Sequence, residues 1–137
     1  MLYPARIEKE GNNYNVTFRD IPEANTCGDS FEDAVNMATD ALLVSMEFYF
    51  EDQRTVPMPS KAKRGETLIA LPASVYAKVL LLNTMIEQNI SNIELAKRIN
   101  VRPQELQRIT NLGHSTKIDT VAKALNALGK TLQISIV

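Results

Sequence analysis

A run of polar side chains between residues 102 and 108 has the chemistry needed to recognise the edges of DNA bases. Arginine pairs bidentately with guanine, glutamine pairs with adenine, and glutamate can accept a hydrogen bond from cytosine. The side chains concerned are Arg102, Gln104, Glu105, Gln107 and Arg108. They fall at the start of a predicted helix, the part of a helix-turn-helix that enters the major groove. The run therefore predicts DNA binding, although the solvated outer face of a helical bundle would show similar residues.

The segment after this run carries side chains that suit contacts with DNA phosphates. Such contacts position a protein on the duplex without reading its sequence. The candidate residues are Asn111, His114, Ser115, Thr116 and Lys117. Together the two groups predict an interface in which a helix reads bases and the following loop holds the backbone.

Carboxylates in the first half of the chain favour a different interpretation, metal-dependent catalysis. A two-metal nuclease site needs several acidic ligands. The half offers Asp20, Glu23, Asp29, Glu32, Asp33 and Asp40. Asp29, Glu32 and Asp33, however, lie at the start of a predicted helix, where negative charge stabilises the first turn. We expect a binding protein with no catalytic residue, metal or cofactor, and a small metal-dependent nuclease is the alternative.

The single histidine and single cysteine exclude several other kinds of site. His114 and Cys27 cannot form a centre of several imidazoles or thiolates, and one cysteine cannot form an internal disulfide. A lone cysteine is more often a small packed side chain than a nucleophile. Zinc binding and nucleophilic catalysis are therefore not expected.

Charge divides the chain into two unlike halves. Residues 1–72 hold 7 basic and 12 acidic side chains, a net charge of −5, whereas residues 73–137 hold 8 and 4, a net charge of +4. The halves should therefore meet different partners.

Apolar runs such as residues 79–82 are far shorter than the roughly 20 residues of a membrane span. The N-terminal residues also lack a signal-peptide pattern, so we expect a cytoplasmic protein with no membrane partner.

Residues 1–72 predict one β-β-β-α-β domain. Two strands join at Gly11, Asn12 and Asn13, a third lies near residues 25–28, and a last strand covers residues 67–71. Asp29 or Ser30 caps the helix between them. The apolar stripe of that helix, which should face the sheet, comprises Phe31, Ala34, Val35, Ala38, Leu42, Met46 and Tyr49.

Residues 73–137 predict an all-α helix-turn-helix domain after a hinge near Pro72. Ser91 and Glu94 form a capping box, Asn100 ends the second helix, and Pro103 opens the third. The side chains expected to pack between these two helices are Leu95, Ala96, Ile99, Val101, Leu106 and Ile109. A last helix, IDTVAKALNAL, should bury Ile118, Val121, Ala122 and Leu125 and stop at Gly129.

The C-terminal residues KTLQISIV read as a strand without a partner in this domain. Leu132, Ile134 and Ile136 alternate with polar residues, so the simplest partner is the same strand of a second copy. We expect a homodimer, with a tetramer left open, whose recognition helices lie about 34 Å or a multiple of it apart.

The sequence resembles the HicB antitoxins of bacterial HicAB toxin–antitoxin systems, in their helix-turn-helix branch. The resemblance covers nearly the whole chain and is carried by FRDIPEANTCGDSFEDAVNMATDALL, FYFEDQRTVPMPS, SVYAKVLLLN and KIDTVAKALNALGK. It implies an α+β protein: a partial RNase H-like domain that has lost nuclease activity, then an Xre/Cro-like helix-turn-helix. The first would bind a HicA-like ribonuclease toxin, and the second would bind operator DNA and repress the operon.

The resemblance also implies a toxin-binding surface on the hairpin, the next strand and the following loop. The corresponding residues here are Tyr3, Tyr14, Asp20, Glu23, Asn25 and Asp29. Pro103 stands where related recognition helices often carry a polar base-contacting residue. A ligand-sensing transcriptional regulator is a further alternative, which predicts a pocket under the helix of residues 31–49.

Overall fold

The computed structural model describes residues 1–137 and has an α+β fold with four strands and five helices. The elements are β1 (Leu2–Glu10), β2 (Asn13–Phe18), β3 (Thr26–Gly28), α1 (Phe31–Asp52), β4 (Thr67–Ala70), α2 (Ala73–Gln88), α3 (Asn92–Ile99), α4 (Pro103–Ile109) and α5 (Ile118–Ala127). They form two compact units, one of residues 1–49 and 56–72, the other of residues 50–55 and 73–137. The predicted order of these nine elements is confirmed.

The first unit is built on an antiparallel sheet of order β3-β2-β1-β4. β1 and β2 form the predicted hairpin, with Glu10 opposite Asn13 and a positive φ of 61° at Gly11. Glycine adopts this conformation without a steric penalty, which explains where the chain reverses. β4 then pairs with the other edge of β1, and Leu2 lies opposite Ala70.

Ser30 caps the start of helix α1, because its hydroxyl accepts a hydrogen bond from the Asp33 amide at 3.0 Å. The predicted stripe is confirmed at Ala34, Ala38, Leu42, Met46 and Tyr49, all of which are buried. Phe31 was wrongly placed in it, since that side chain is 50% exposed and packs edge-on against Tyr14. Val35 is only partly buried. Phe31 has the spacing of the stripe but is the first residue of α1, where its ring meets Tyr14 of β2 and stays half exposed.

Glycine at position 28 allows the end of β3 to lie directly against the start of α1. A Cβ atom at Gly28 would be 2.4 Å from the Ala34 amide nitrogen and 2.7 Å from its Cα. Those atoms belong to the helix backbone and cannot rotate away. The sheet and α1 therefore meet at van der Waals distance only because residue 28 has no side chain.

The predicted loop between α1 and β4 is anchored by buried and polar contacts. Val56 is fully buried, and the Tyr3 hydroxyl donates to the carbonyl oxygen of Pro57 at 2.7 Å. The Asp20 carboxylate accepts from both the amide and the hydroxyl of Ser60. The loop thus has a defined course without regular secondary structure.

The second unit is helical, and its core confirms the predicted packing of the helix-turn-helix. The buried side chains are Ala77, Leu81, Met85, Leu95, Ala96, Ile99, Leu106, Ile109, Val121, Ala124, Leu125 and Leu128, with Val101 and Ile118 packed against them. Ala122 is only partly buried, so its prediction was wrong and Ala124 takes that place. Successive helical residues turn by about 100°, so Ala122 and Ala124 lie on roughly opposite sides of α5, and Ala124 follows Val121 by the three-residue step of the buried face.

The helix ends in this unit follow the predicted signals closely. The Ser91 hydroxyl accepts from the Glu94 amide at 3.2 Å, one half of the expected capping box. The Glu94 carboxylate instead accepts from Arg98 at 3.0 Å. Asn100 ends α3 in the left-handed conformation with φ 57°, and Pro103 opens α4.

The C-terminal residues form no strand in the single chain, and the predicted pairing of this segment with a second copy stays a prediction. Leu132 packs against the core of the second unit, whereas Ile134 and Ile136 are 74% and 99% exposed. A strand needs a neighbouring backbone to satisfy its hydrogen bonds, and one chain supplies none here. Leu132 therefore has a structural role of its own, which its alternation with Gln133 did not indicate.

Candidate functional sites

The outer face of α4 presents the polar run to solvent. Leu106 and Ile109 are buried, and α3 supports them from beneath with Leu95 and Ala96. All five predicted base-contacting residues are exposed, namely Arg102, Gln104, Glu105, Gln107 and Arg108. Residues three and four apart are neighbours on a helix, so Gln104, Gln107 and Arg108 form one continuous patch. The patch has the donors and acceptors needed for base edges.

The loop after α4 is compact and exposed. The Asn111 side-chain oxygen accepts from the Gly113 amide at 2.8 Å, and the His114 amide donates to the Asn111 carbonyl at 3.2 Å. The His114 Nδ1 lies 3.0 Å from the carbonyl oxygen of Ser115. Ser115 and Lys117 are exposed and Thr116 is partly buried. The predicted phosphate-contacting residues are thus on one short surface segment beside α4.

Lys78 on α2 holds this loop from inside and was not identified from the sequence. Its side chain is 3% exposed. The amine donates to the carbonyl oxygens of Arg108 at 3.3 Å, Asn111 at 2.7 Å and His114 at 2.5 Å. An ammonium has three donors, and all three are used. Burial lowers the pKa of the Lys78 amine below its usual value. The available signal was a lysine between Ala77 and Val79, directly before the apolar run of residues 79–82.

The residues implied for toxin binding are spread over the first unit, and one of them is not on the surface. Glu23, Asn25 and Asp29 are exposed, and Tyr14 and Asp20 are partly exposed. Tyr3 is fully buried with its hydroxyl bonded to Pro57, so it cannot contact a partner and its assignment was wrong. Residues of a strand alternate between the two faces of the sheet, and position 3 points into the core.

Three of the six candidate metal-binding carboxylates in the first unit are hydrogen-bonded to groups of the chain itself. Asp20 accepts from Ser60, Glu23 accepts from the Tyr49 hydroxyl at 2.7 Å, and Asp33 accepts from the Asp29 amide at 2.9 Å. No group of three or more histidine, cysteine, aspartate or glutamate side chains gathers where it could hold a metal ion. The structure therefore does not bring the acidic residues of the alternative nuclease site together.

A ligand-sensing regulator would need a pocket beneath α1, but that face of the helix is packed with buried side chains.

A network of hydrogen bonds around Arg19 connects the residue after β2 to the residues before β4. Arg19 donates to the Glu66 carboxylate at 2.8 and 3.0 Å, to the carbonyl oxygen of Lys61 at 2.6 Å, and to the Ser60 hydroxyl. Hydrogen bonds from Arg19 and then from the Lys63 amide lower the pKa of Glu66 to about 2. The hydrogen bond to Glu66 raises the pKa of Arg19. This pair fixes the loop against the sheet.

The fold and the exposed face of α4 define a helix-turn-helix protein joined to an antiparallel α+β unit. Residues 2–80 match the model of the HicB-like antitoxins of bacterial toxin–antitoxin systems, and residues 82–134 match a helix-turn-helix model. The chain belongs to the HicB-like antitoxin family. No helix reaches the combination of length and apolar character that a membrane span requires.

Curated relatives match over the full length of the chain. Antitoxin HicB 2 of Photorhabdus laumondii is 54% identical over 134 residues, which cover 98% of this chain and 95% of that protein. Antitoxin HicB of Escherichia coli is 45% identical over 139 residues and all of both chains. Antitoxin HicB of Pseudomonas fluorescens is 31% identical over 135 residues, 98% of this chain and 92% of that protein.

Proposed function

We propose that this chain neutralises a HicA-like, mRNA-cleaving toxin through residues 1–72 and represses its own operon by binding operator DNA through residues 73–137. The similarity of the whole chain to proteins named Antitoxin HicB supports the first activity. The exposed patch of Gln104, Gln107 and Arg108 on α4 supports the second. The chain acts by binding alone, in the cytoplasm, where mRNA and operator DNA are found.

The DNA interface consists of two groups with different tasks. The side chains of α4 contact base edges, and the loop from Asn111 to Lys117 contacts phosphates. Pro103 has no side-chain donor or acceptor, so it contributes no base contact between Arg102 and Gln104. The net charge of +4 on residues 73–137 favours approach to DNA, whereas the net charge of −5 on residues 1–72 favours a basic partner.

Operator binding involves two copies of the chain, joined through their C-terminal residues. Ile134 and Ile136 are exposed and alternate with polar residues, as expected of a strand that forms when two copies pair. A pseudo-palindromic operator would then meet two recognition helices about one DNA turn, roughly 34 Å, apart or a multiple of it.

One experiment separates the two activities in the full-length protein. The chain is co-expressed with the small protein encoded beside it, and growth is measured together with a reporter fused to the operon's promoter. Wild type should rescue growth and silence the reporter. The variant in which Gln104, Gln107 and Arg108 are all replaced by alanine should rescue growth, but it should no longer repress the reporter.

Three results would each contradict a different part of the proposal. A neighbouring protein that is harmless when expressed alone, or that does not co-purify with the chain, would remove the antitoxin half. Repression that persists in the triple variant would remove the assigned DNA interface. Cleavage of RNA or DNA by the purified chain with Mg²⁺ or Mn²⁺ would show that it does not act by binding alone.

A further inference from the structure

Helix α1 carries a second apolar stripe that does not face the sheet. Met37, Ala41, Val44 and Phe48 follow steps of four, three and four residues, so they lie within roughly 60° of one another around the helix. Met37 is 39% exposed, Val44 is 52% exposed and Phe48 is 49% exposed. We call these four residues the outer stripe. Contiguous apolar surface of this kind on a folded protein commonly marks an interaction site.

The outer stripe is bordered by negative charge. Asp40 and Glu47 are exposed and lie beside it, one turn and three turns along the helix from Met37. Helix α1 as a whole has six carboxylate side chains and no lysine or arginine. A partner that covers the stripe must therefore accept an apolar ridge next to a row of carboxylates.

This combination of charges selects one kind of occupant. Two copies of the chain packed stripe to stripe would bring the acidic rows together, and like charges close to each other in an interface are costly. An anionic membrane surface would repel the same row. A protein surface with an apolar groove edged by lysine and arginine satisfies both features.

We propose that the outer stripe of α1 is the surface on which the toxin docks, with Val44 and Phe48 in an apolar groove and with Asp40 and Glu47 facing basic side chains. This rests on the proposed function, because it takes the toxin as the basic partner. It adds α1 to the hairpin and loop that the resemblance implied. It also explains why apolar side chains occupy a face that contributes nothing to the core of the first unit.

The test uses the full-length chain with single substitutions and the co-purified toxin. Val44→Lys and Phe48→Lys place a positive charge in the stripe. Leu68→Lys is the matched control, because Leu68 is 47% exposed and alternates with buried Ile69, which places it on the uncovered face of the sheet. Affinity for the toxin is measured by titration calorimetry. Operator affinity and the unfolding temperature report that each variant is folded.

We expect each stripe substitution to weaken toxin binding about tenfold or more, as for a central interface residue, while Leu68→Lys leaves it unchanged. Asp40→Asn with Glu47→Gln should slow association and reduce its dependence on salt. Equal toxin affinity in wild type and the folded stripe variants would overturn the proposal, as would an equal loss in Leu68→Lys. Loss of dimer in sedimentation with unchanged toxin affinity would assign the stripe to contacts between copies instead.

Toxin binding by the wild-type chain shows which of the two proposals fails, the docking surface on α1 or the antitoxin function itself. If wild type binds the toxin and the stripe variants bind equally well, only the docking surface is wrong. If wild type binds no toxin, the antitoxin function itself fails and the docking surface fails with it.

Discussion

Lys78 donates a hydrogen bond to the main-chain carbonyl of Asn111, 33 residues further along the chain, at 2.7 Å. The same amine reaches the carbonyls of Arg108 and His114. These three carbonyls lie at the end of α4 and in the loop that we propose to contact phosphates. A residue that touches no DNA in this assignment therefore sets the position of several that do.

Replacing Lys78 should loosen the loop without removing any proposed DNA contact. Lys78→Met leaves three carbonyls without their donor, so we expect a loss of roughly 1–3 kcal/mol in stability. Hydrogen exchange of amides 111–117 should accelerate, and affinity for operator and random DNA should fall together. Lys123→Met, at an exposed position of α5, is the control. Unchanged exchange in the loop would contradict this role.

Side chains of α4 and of the loop should affect DNA binding differently. Gln104→Ala and Gln107→Ala should each reduce the preference for operator over random DNA by ~1 to 3 kcal/mol, because base contacts are lost. Lys117→Ala should weaken binding to both DNAs equally and lower the salt dependence by about one ion. Binding titrations at several salt concentrations measure both effects. Equal losses on the two DNAs for all three variants would refute the assignment.

The Arg19–Glu66 pair should make the first unit sensitive to acid. The pKa of Glu66 is lowered from 4.5 to about 2, so its ionised form stabilises the fold at pH values above 4.5. That contribution is lost as the pH falls from 4.5 through 2. Thermal unfolding should separate Glu66→Gln from wild type at pH 5 to 7, and the two should converge toward pH 2.

The control for this measurement is the exposed pair of Arg6 and Glu8 at 3.3 Å. Both side chains are more than half exposed, and such surface pairs contribute little. Glu8→Gln should therefore unfold like wild type at every pH. A pH-independent difference between wild type and Glu66→Gln would show that the carboxylate charge is not what stabilises the loop.

Two C-terminal deletions should distinguish the role of these residues in dimerisation from their role in the packing of a single chain. A chain that lacks residues 133–137 keeps Leu132 against the core but loses Ile134 and Ile136. We expect it to unfold at the wild-type temperature yet to dimerise and bind operator more weakly. Removing residues 131–137 should lower both association and stability. A full dimer in sedimentation after the shorter deletion would rule out pairing through these residues.

Local sequence signals predicted the elements well because they depend on neighbouring residues only. Gly11, Ser91, Asn100 and Pro103 act through backbone geometry and capping within one turn, and each lies where it was expected. The interior residues Leu95, Ala96, Leu106 and Ile109 followed from helical spacing for the same reason.

The errors share a different cause, which is dependence on distant parts of the chain. Tyr3 hydrogen-bonds to Pro57, Phe31 packs edge-on against Tyr14 of the hairpin, and Lys78 meets carbonyls 30 or more residues away. Periodicity contains no information on any of these contacts, so they became visible only in the folded molecule.

The close approach at Gly28 has a consequence for mutational tolerance. Even a methyl group there would meet the backbone of Ala34, so no side chain can be accommodated without separating α1 from the sheet. The neighbouring Cys27 is exposed and under no such restriction. A library randomised at both positions and selected for growth in the presence of toxin should return many residues at position 27 and only glycine at position 28.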